Sequence, residues 1–210
     1  MTLPSDFTYL LTHFPTADVA ELRPFYDRLP LDPYIQGVFR RRRFSRFRGP
    51  ASHLRRLEHL YFLQSKNVNH LAGGIRREFQ ELEDELLIQP AFQAMVTTFI
   101  DGMGIDPEVR EFGVHQIRIA CSPEFAGSPA PEGIHQDGFD YIGMFCVERH
   151  QIIGATTRIY PAKDQPPLFS RDLQAGEAVL ANDRKVFHFA DQVRPSGDHP
   201  GHWDLLVITS

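Results

Sequence analysis

The sequence predicts a mainly β fold of sandwich or jelly-roll type, buttressed by helices from its N-terminal part. Three observations point there. Apolar residues recur at helical spacing through much of the first half of the chain. The period changes to two after Pro107. Beyond it come several short strand-like runs in series, with no helical stretch between them, a pattern that argues against a parallel sheet. A chain of 210 residues is the size of one domain, here with a helical part over about 1–110 and a β core over about 111–210.

The elements follow in order. Val19, Leu22, Tyr26 and Leu29 repeat at helical spacing after Thr16, an N-cap residue type, and Pro24 splits that element. A second helix follows Gly73-Gly74, with Ile75, Phe79, Leu82 and Leu86 in one stripe and Glu78, Glu81, Glu83 and Glu85 largely off it. Pro90 opens a third, with Phe92, Met95 or Val96, and Phe99 facing inward, and it stops near Gly102. Phe112 to Ala120 then alternates. Val114, Gln116 and Arg118 fall on one face, His115, Ile117 and Ile119 on the other. After a loop rich in Pro, Gly and Ser over 122–133, the segments 141–148, 152–160, 178–181, 185–189 and 204–209 read as strands.

Composition narrows the function. A net charge of -5 and a pI near 6.0 disfavour a dedicated nucleic-acid binder. No apolar run is long enough to span a membrane, and the first residues do not read as a secretory signal. Two cysteines, Cys121 and Cys146, make no disulfide framework, so a reduced cytoplasmic protein is expected. One stretch stands apart: six arginines between Arg40 and Arg48, interleaved with Phe44 and Phe47. It reads either as a nucleic-acid arm or as a strand whose arginines are partly solvated, partly paired with acids or with a small anion.

The chemistry rests on histidine and carboxylate, because no phosphate loop, nucleophile elbow or paired-cysteine zinc motif is present. His135-Gln136-Asp137 lies between a loop and a strand, where both side chains leave one face of an extended chain. Two histidines and one carboxylate on one face of a metal leave positions open for other ligands, as in non-haem iron(II) oxygenases. With 10 histidines and 15 aspartates, a His-x-Asp arises by chance about 0.7 times, and this chain has a second, His202-Trp203-Asp204. Only the first is followed by a later strand-borne histidine of suitable context, His188 in Lys185-Val-Phe-His.

The segments Val114-His-Gln-Ile-Arg118, Ile134-His-Gln-Asp-Gly138, Lys185-Val-Phe-His188 and Asp204–Thr209 together resemble bacterial 2-oxoglutarate/iron(II) dioxygenases that hydroxylate free L-amino acids, the L-isoleucine 4-hydroxylase group among them. The resemblance covers most of the chain from Asp32 onward. It implies that His135, Asp137 and His188 hold iron(II) on a double-stranded β-helix, with 2-oxoglutarate and O2 as co-substrates and a small substrate hydroxylated at an unactivated C–H. Gln116, Arg118 and Thr209 fall in matching segments and are expected at the 2-oxoglutarate site. The Arg-rich stretch is expected near the site mouth, giving Arg46 a place at the substrate's carboxylate.

One residue departs from the resemblance. Trp203 stands where those enzymes carry the arginine that anchors the distal carboxylate of 2-oxoglutarate. An indole offers one N–H donor and no charge. Three readings stay open. Another arginine, Arg158 or Arg118, anchors the co-substrate and Trp203 lines the substrate site; or the enzyme oxidises its substrate without 2-oxoglutarate; or the chain is a non-catalytic β-barrel that binds nucleic acid through Arg40–Arg48. The oligomeric state is left open.

Overall fold

The computed structural model describes residues 6–15, 19–64, 66 and 73–210, so Thr16 lies outside the described residues. The chain runs through β1 (Tyr9–His13), α1 (Arg23–Asp27), β2 (Arg40–Arg48), β3 (Arg55–Arg56), α2 (Asp84–Leu87) and α3 (Pro90–Met103). It continues through β4 (Phe112–Cys121), β5 (Tyr141–His150), β6 (Ile152–Gly154), β7 (Thr157–Tyr160) and β8 (Phe169–Arg171). The last elements are β9 (Glu177–Asn182), β10 (Phe187–Ala190), β11 (Val193–Pro195) and β12 (Gly201–Thr209). The structure is mostly β with few helices. Seven strands form one antiparallel sheet in the order β1-β9-β5-β12-β4-β2-β3, beside a β10-β7-β8 sheet and a β11-β6 pair.

The large sheet is buried on both faces, and strict alternation decides which residue goes where. On one face Phe112, Val114, Phe145, Leu180, Leu206 and Ile208 pack against Phe92, Met95 and Phe99 of α3. On the other, Ile119, Ile142, Cys146, Val179, Trp203 and Leu205 meet Ile159 of β7 and Val193 of β11. Each fully buried aromatic or branched side chain contributes about 1.5–3 kcal/mol. The small sheets therefore face the large one across a shared core, and the helices close its back. No helix among the described residues is long and apolar enough to cross a membrane.

The N-terminal part is less helical than its spacing suggests, because β1 and β2 complete the large sheet. Pro24 does divide the first element, into a short 3-10 turn over Val19–Leu22 and α1. The helix expected from Ile75 to Leu86 does not form; only α2 does. The backbone of Arg77 instead exchanges both hydrogen bonds with Phe62 (2.7 and 3.0 Å), and Phe44 N–H donates to Gln80. Extended, the segment buries Arg77 and Phe79 with exposed Glu78 between them, a period of two that overrides the helical stripe. Helix α3 stops at Met103, near Gly102 as expected, and its C-cap is Gly104, whose φ of 60° suits glycine. A Cβ at Gly102 would lie 2.5 Å from Leu180 Cδ1, so that glycine lets the helix approach the sheet. The strand expected over 152–160 breaks into β6 and β7 at Ala155, which has φ 56°.

Glu177 ties three strands together at the sheet end. It accepts two hydrogen bonds from Arg171 (2.9 and 2.6 Å) and one from the Gln174 N–H, with His13 of β1 at 3.5 Å. The Arg171 hydrogen bonds, against the opposing effect of burial, hold the carboxyl down to about 2. A depressed carboxyl stabilises the fold above its unfolded pKa of about 4.3 and loses that contribution as pH falls toward the folded value. Glu177→Gln should therefore lower Tm most at neutral pH, and the gap from wild type should close as pH falls from about 5 to about 2. A gap independent of pH in thermal melts would show that the charge is not what stabilises this corner.

Candidate metal centre

His135 and His188 come from distant segments but are locked to each other by backbone. The His135 N–H donates to His188 O (3.0 Å) and the His188 N–H returns to His135 O (2.8 Å), which sets the rings 4.3 Å apart. Strand β10 is itself fixed by pairing His188 opposite Ile159 of β7. His135 Nδ1–H donates to the Gly133 carbonyl (2.8 Å), which leaves Nε2 as the free ring nitrogen. Asp137 lies between the two rings, its Oδ1 3.6 Å from His135 Nε2 and its Oδ2 3.8 Å from His188 Nε2.

Asp137 is placed by a residue that sequence reasoning missed. Asp183, almost fully buried, accepts the N–H groups of Asp137, Gly138 and Phe139 at 2.7–3.1 Å. A carboxylate under three successive N–H groups fixes the loop that carries Asp137. Gln64 adds a contact from the other side, its amide donating to Asp137 Oδ1 at 3.1 Å. Glu132, also unanticipated, has Oε1 3.4 Å from His135 Nε2.

These donors fit a metal. Two atoms that each lie about 2.1 Å from one ion can be no more than about 4.2 Å apart, and both His–Asp separations meet that limit. His188 Nε2 is buried and has no hydrogen-bond partner, an orphan that a metal would satisfy. The charges suit a cation too. Burial would push Asp137 up, but the hydrogen bond and charge of His135 and the charge of His188 hold it well below the usual carboxylate range. Burial would push His135 down, yet Asp137 and Glu132 raise it to about 9.

The second His-x-Asp also gathers three donors, with Glu148 beside His202 and Asp204. Its carboxylates are already occupied. Arg118 Nε and Nη2 each donate to Asp204 at 2.7 Å, and Arg23 pairs with Glu148. Ion pairing within the protein, not spacing, separates the two motifs.

The centre opens into a cavity of about 670 Å³. Ile117, Ile119, Ile142, Met144, Leu205 and Val207 supply apolar wall, and Arg40, Arg42, Gln64, Arg77 and His115 line the polar side. Several expected site residues lie elsewhere. Gln116 and Arg118 share a face of β4, but it is the helix face; His115, Ile117 and Ile119 are the ones that meet the cavity. Arg118 is consumed by Asp204 and Asp27. Arg158 pairs with Asp191 while its neighbour Ile159 takes the inward position. Arg46 pairs with Glu111, and Thr209 is buried beside Gly113 and Phe44, outside the lining. Trp203 does line the cavity, but its one N–H is spent on Cys146 Sγ at 3.3 Å.

The arginine run is mostly consumed within the protein. Arg40 pairs with Asp32, Arg43 with Glu83, and Arg46 and Arg48 with Glu111, while Arg41 donates to the Leu29 carbonyl. Only Arg48 among them is exposed, so the expectation of arginines solvated along one strand face gives way to internal pairing.

A family model described as 2OG-Fe dioxygenase matches residues 23–209. No curated protein sequence matches the chain significantly. Among solved structures, a bsmA homologue from Methylobium petroleophilum PM1 is 24% identical, with 97% of this chain and 88% of that one covered at a TM-score of 0.81. IDO from Bacillus thuringiensis is 18% identical over 96% of this chain and 92% of its own, with a TM-score of 0.77. The Fe(II)/α-ketoglutarate-dependent dioxygenase TqaL is 18% identical over 96% and 82%, with a TM-score of 0.64. At these identities the likeness shows a shared fold.

Loss of the Asp183 clamp should loosen any metal held by Asp137. Asp183→Ala is expected to weaken iron(II) retention by about 10- to 100-fold, the range for outer partners of metal ligands. Equilibrium dialysis against iron(II) under anaerobic conditions measures it; wild-type affinity in a folded variant would remove Asp183 from the site.

Proposed function

The chain belongs to the 2OG-Fe dioxygenase family, and from that premise we propose that His135, Asp137 and His188 hold its iron(II). The enzyme is a 2-oxoglutarate-dependent dioxygenase, with iron(II), 2-oxoglutarate and O2 as its cofactor and co-substrates. The observation that carries the ligand assignment is the convergence of three donors on one buried point, with His188 Nε2 otherwise orphaned. The large sheet and the facing small sheets are read as a double-stranded β-helix, and residues 1–210 as one domain. Its cysteines, both buried and unpaired, suit a reduced, cytoplasmic setting.

When bound, iron(II) with 2-oxoglutarate supplies the oxidising power for O2-dependent hydroxylation. The chain's own residues set the conditions. The Gly133 carbonyl holds the His135 ring in the tautomer that offers Nε2. Asp137 contributes the negative charge, and Asp183 fixes its loop. His135, Asp137 and His188 would hold the metal by one face and leave room at it for a bidentate co-substrate. The apolar wall of Ile117, Ile142, Met144 and Val207 excludes water from that side and suits an aliphatic substrate. The substrate class we propose is a small, free L-amino acid hydroxylated at an unactivated carbon. A cavity of about 670 Å³ that joins aliphatic wall to guanidinium groups supports it.

Asp137→Ala should abolish both the anaerobic iron(II)–2-oxoglutarate charge-transfer band and turnover, a loss beyond the roughly 100-fold of an outer partner. If the Ala variant kept both while Asp204→Ala lost them, the iron would belong to the His202 and Asp204 motif instead. For the substrate class, consumption of 2-oxoglutarate should rise with some members of an L-amino-acid panel; an equal rate with all and with none would reject it.

A further inference from the structure

Two guanidinium groups enter the cavity wall with no carboxylate to neutralise them. Arg42, from the middle of β2, is 7% exposed, and Arg77, from the strand-like segment opposite Phe62, is 2% exposed. Neither forms an ion pair among the described residues; Arg40, beside them, is neutralised by Asp32 at 2.7 Å. Arg42 Nη2 donates to His115 Nδ1 at 2.7 Å, and Arg77 Nη2 to Gln64 Oε1 at 2.6 Å. Both lie over the Phe62 ring, 5.2 and 4.8 Å from its centroid. The Nε of each is buried without a partner.

Burying a charge without a counter-ion is costly, and here two like charges are buried together. Burial and the neighbouring Arg40 push Arg42 down to about 9 and lower Arg77 as well, so both want an anion. Gln64 bridges one of them to the proposed centre: its oxygen accepts from Arg77 while its nitrogen donates to Asp137 Oδ1. The other candidate cations are elsewhere or occupied. Arg46, Arg118 and Arg158 are outside the cavity and paired with acids, and Trp203 has no donor to spare. A carboxylate entering this cavity and not bound to metal has Arg42 and Arg77 to go to.

We propose that Arg42 and Arg77 form a carboxylate-binding subsite, one side-chain amide away from Asp137, that receives a carboxylate of a small organic acid. The inference rests on the reading of this cavity as the place where co-substrate and substrate meet. A guanidinium presents parallel N–H donors to both oxygens of a carboxylate, and both side chains contribute to the cavity lining. The carboxylate comes either from 2-oxoglutarate or from the amino-acid substrate.

The chain's one tryptophan, Trp203, lines the same cavity and reports occupancy by fluorescence. Wild type, Arg42→Met, Arg77→Met and Arg77→Lys would be titrated anaerobically with 2-oxoglutarate, with and without iron(II), and then with the L-amino-acid panel and the corresponding amides. A weakening of 2-oxoglutarate by about 10- to 100-fold in both Met variants, with Arg77→Lys intermediate, assigns the subsite to the co-substrate. Unchanged 2-oxoglutarate binding with the same loss for an amino acid, and none for its amide, assigns it to the substrate. Arg158→Met should match wild type throughout. Removing a buried, unpaired charge should leave the ligand-free Tm equal or higher, which separates a ligand site from a structural role. If neither 2-oxoglutarate nor any amino acid loses affinity in either Met variant, the subsite is overturned. Failure of the iron reading is separate: it removes the charge-transfer band but leaves arginine-dependent quenching without metal in place.

Discussion

Each residue of β4 and β12 has to choose between two buried faces, and that constraint distributes the polar groups of the whole molecule. Arg118 and Asp204 are direct cross-strand partners on the helix face, joined by two hydrogen bonds of 2.7 Å. A slip of one residue would carry Arg118 into the cavity and Ile117 onto the helices. The ion pair resists that slip, because either charge moved alone would be buried unpaired. With the register fixed, His115, Ile117 and Ile119 face Trp203, Leu205 and Val207 on the same side, and the cavity wall follows. The helix-face arginine thus matters to the site only through the register it holds.

The centre itself is assembled from parts that share no element. His135 follows a loop, Asp137 opens the next, and His188 lies on β10. What brings three separate positions into one site is hydrogen bonding to the backbone: the paired peptides of His135 and His188, and the Asp183 carboxylate under three N–H groups. His135 Nε2 and His188 Nε2 stay available to a metal, while Asp137 shares one oxygen with the Gln64 amide.

Much of this was legible in the sequence. The change of period at Pro107, the strands from Phe112 onward and helix α3 all follow from local pattern, and the His135, Asp137 and His188 set follows from order and context. The misreadings have physical causes. Ile75, Phe79, Leu82 and Leu86 satisfy a helical stripe, but Arg77 and Phe79 also satisfy an extended one, and pairing with Phe62 decided it. Alternation on β4 shows that Gln116 and Arg118 share a face but not which face holds the cavity, since both are buried. Asp183 left no signal, because accepting backbone N–H groups requires no motif. Arg158 stands in an apolar, strand-like run, but alternation gives the inward place to Ile159.

The substitution at Trp203 shows how loosely a charge is bound to its strand. The sequence resemblance led to the expectation of a cation at this position; here the indole is buried and its N–H is committed to Cys146. The cavity is not thereby left neutral. Arg42 and Arg77 reach it from β2 and from the segment beside it, at the other end of the β12-β4-β2 row. A carboxylate is recognised by positive charge and paired N–H donors, neither of which specifies the element that supplies them. A cation moved across the sheet, however, meets the carboxylate from a different direction relative to Asp137. It therefore changes which ligand it can reach while the metal donors stay where they are. The arginine run of β2 is explained in those terms: most of its members offset burial by pairing with acids, and Arg42, which has no acid partner, faces the cavity together with Arg77 of the neighbouring segment.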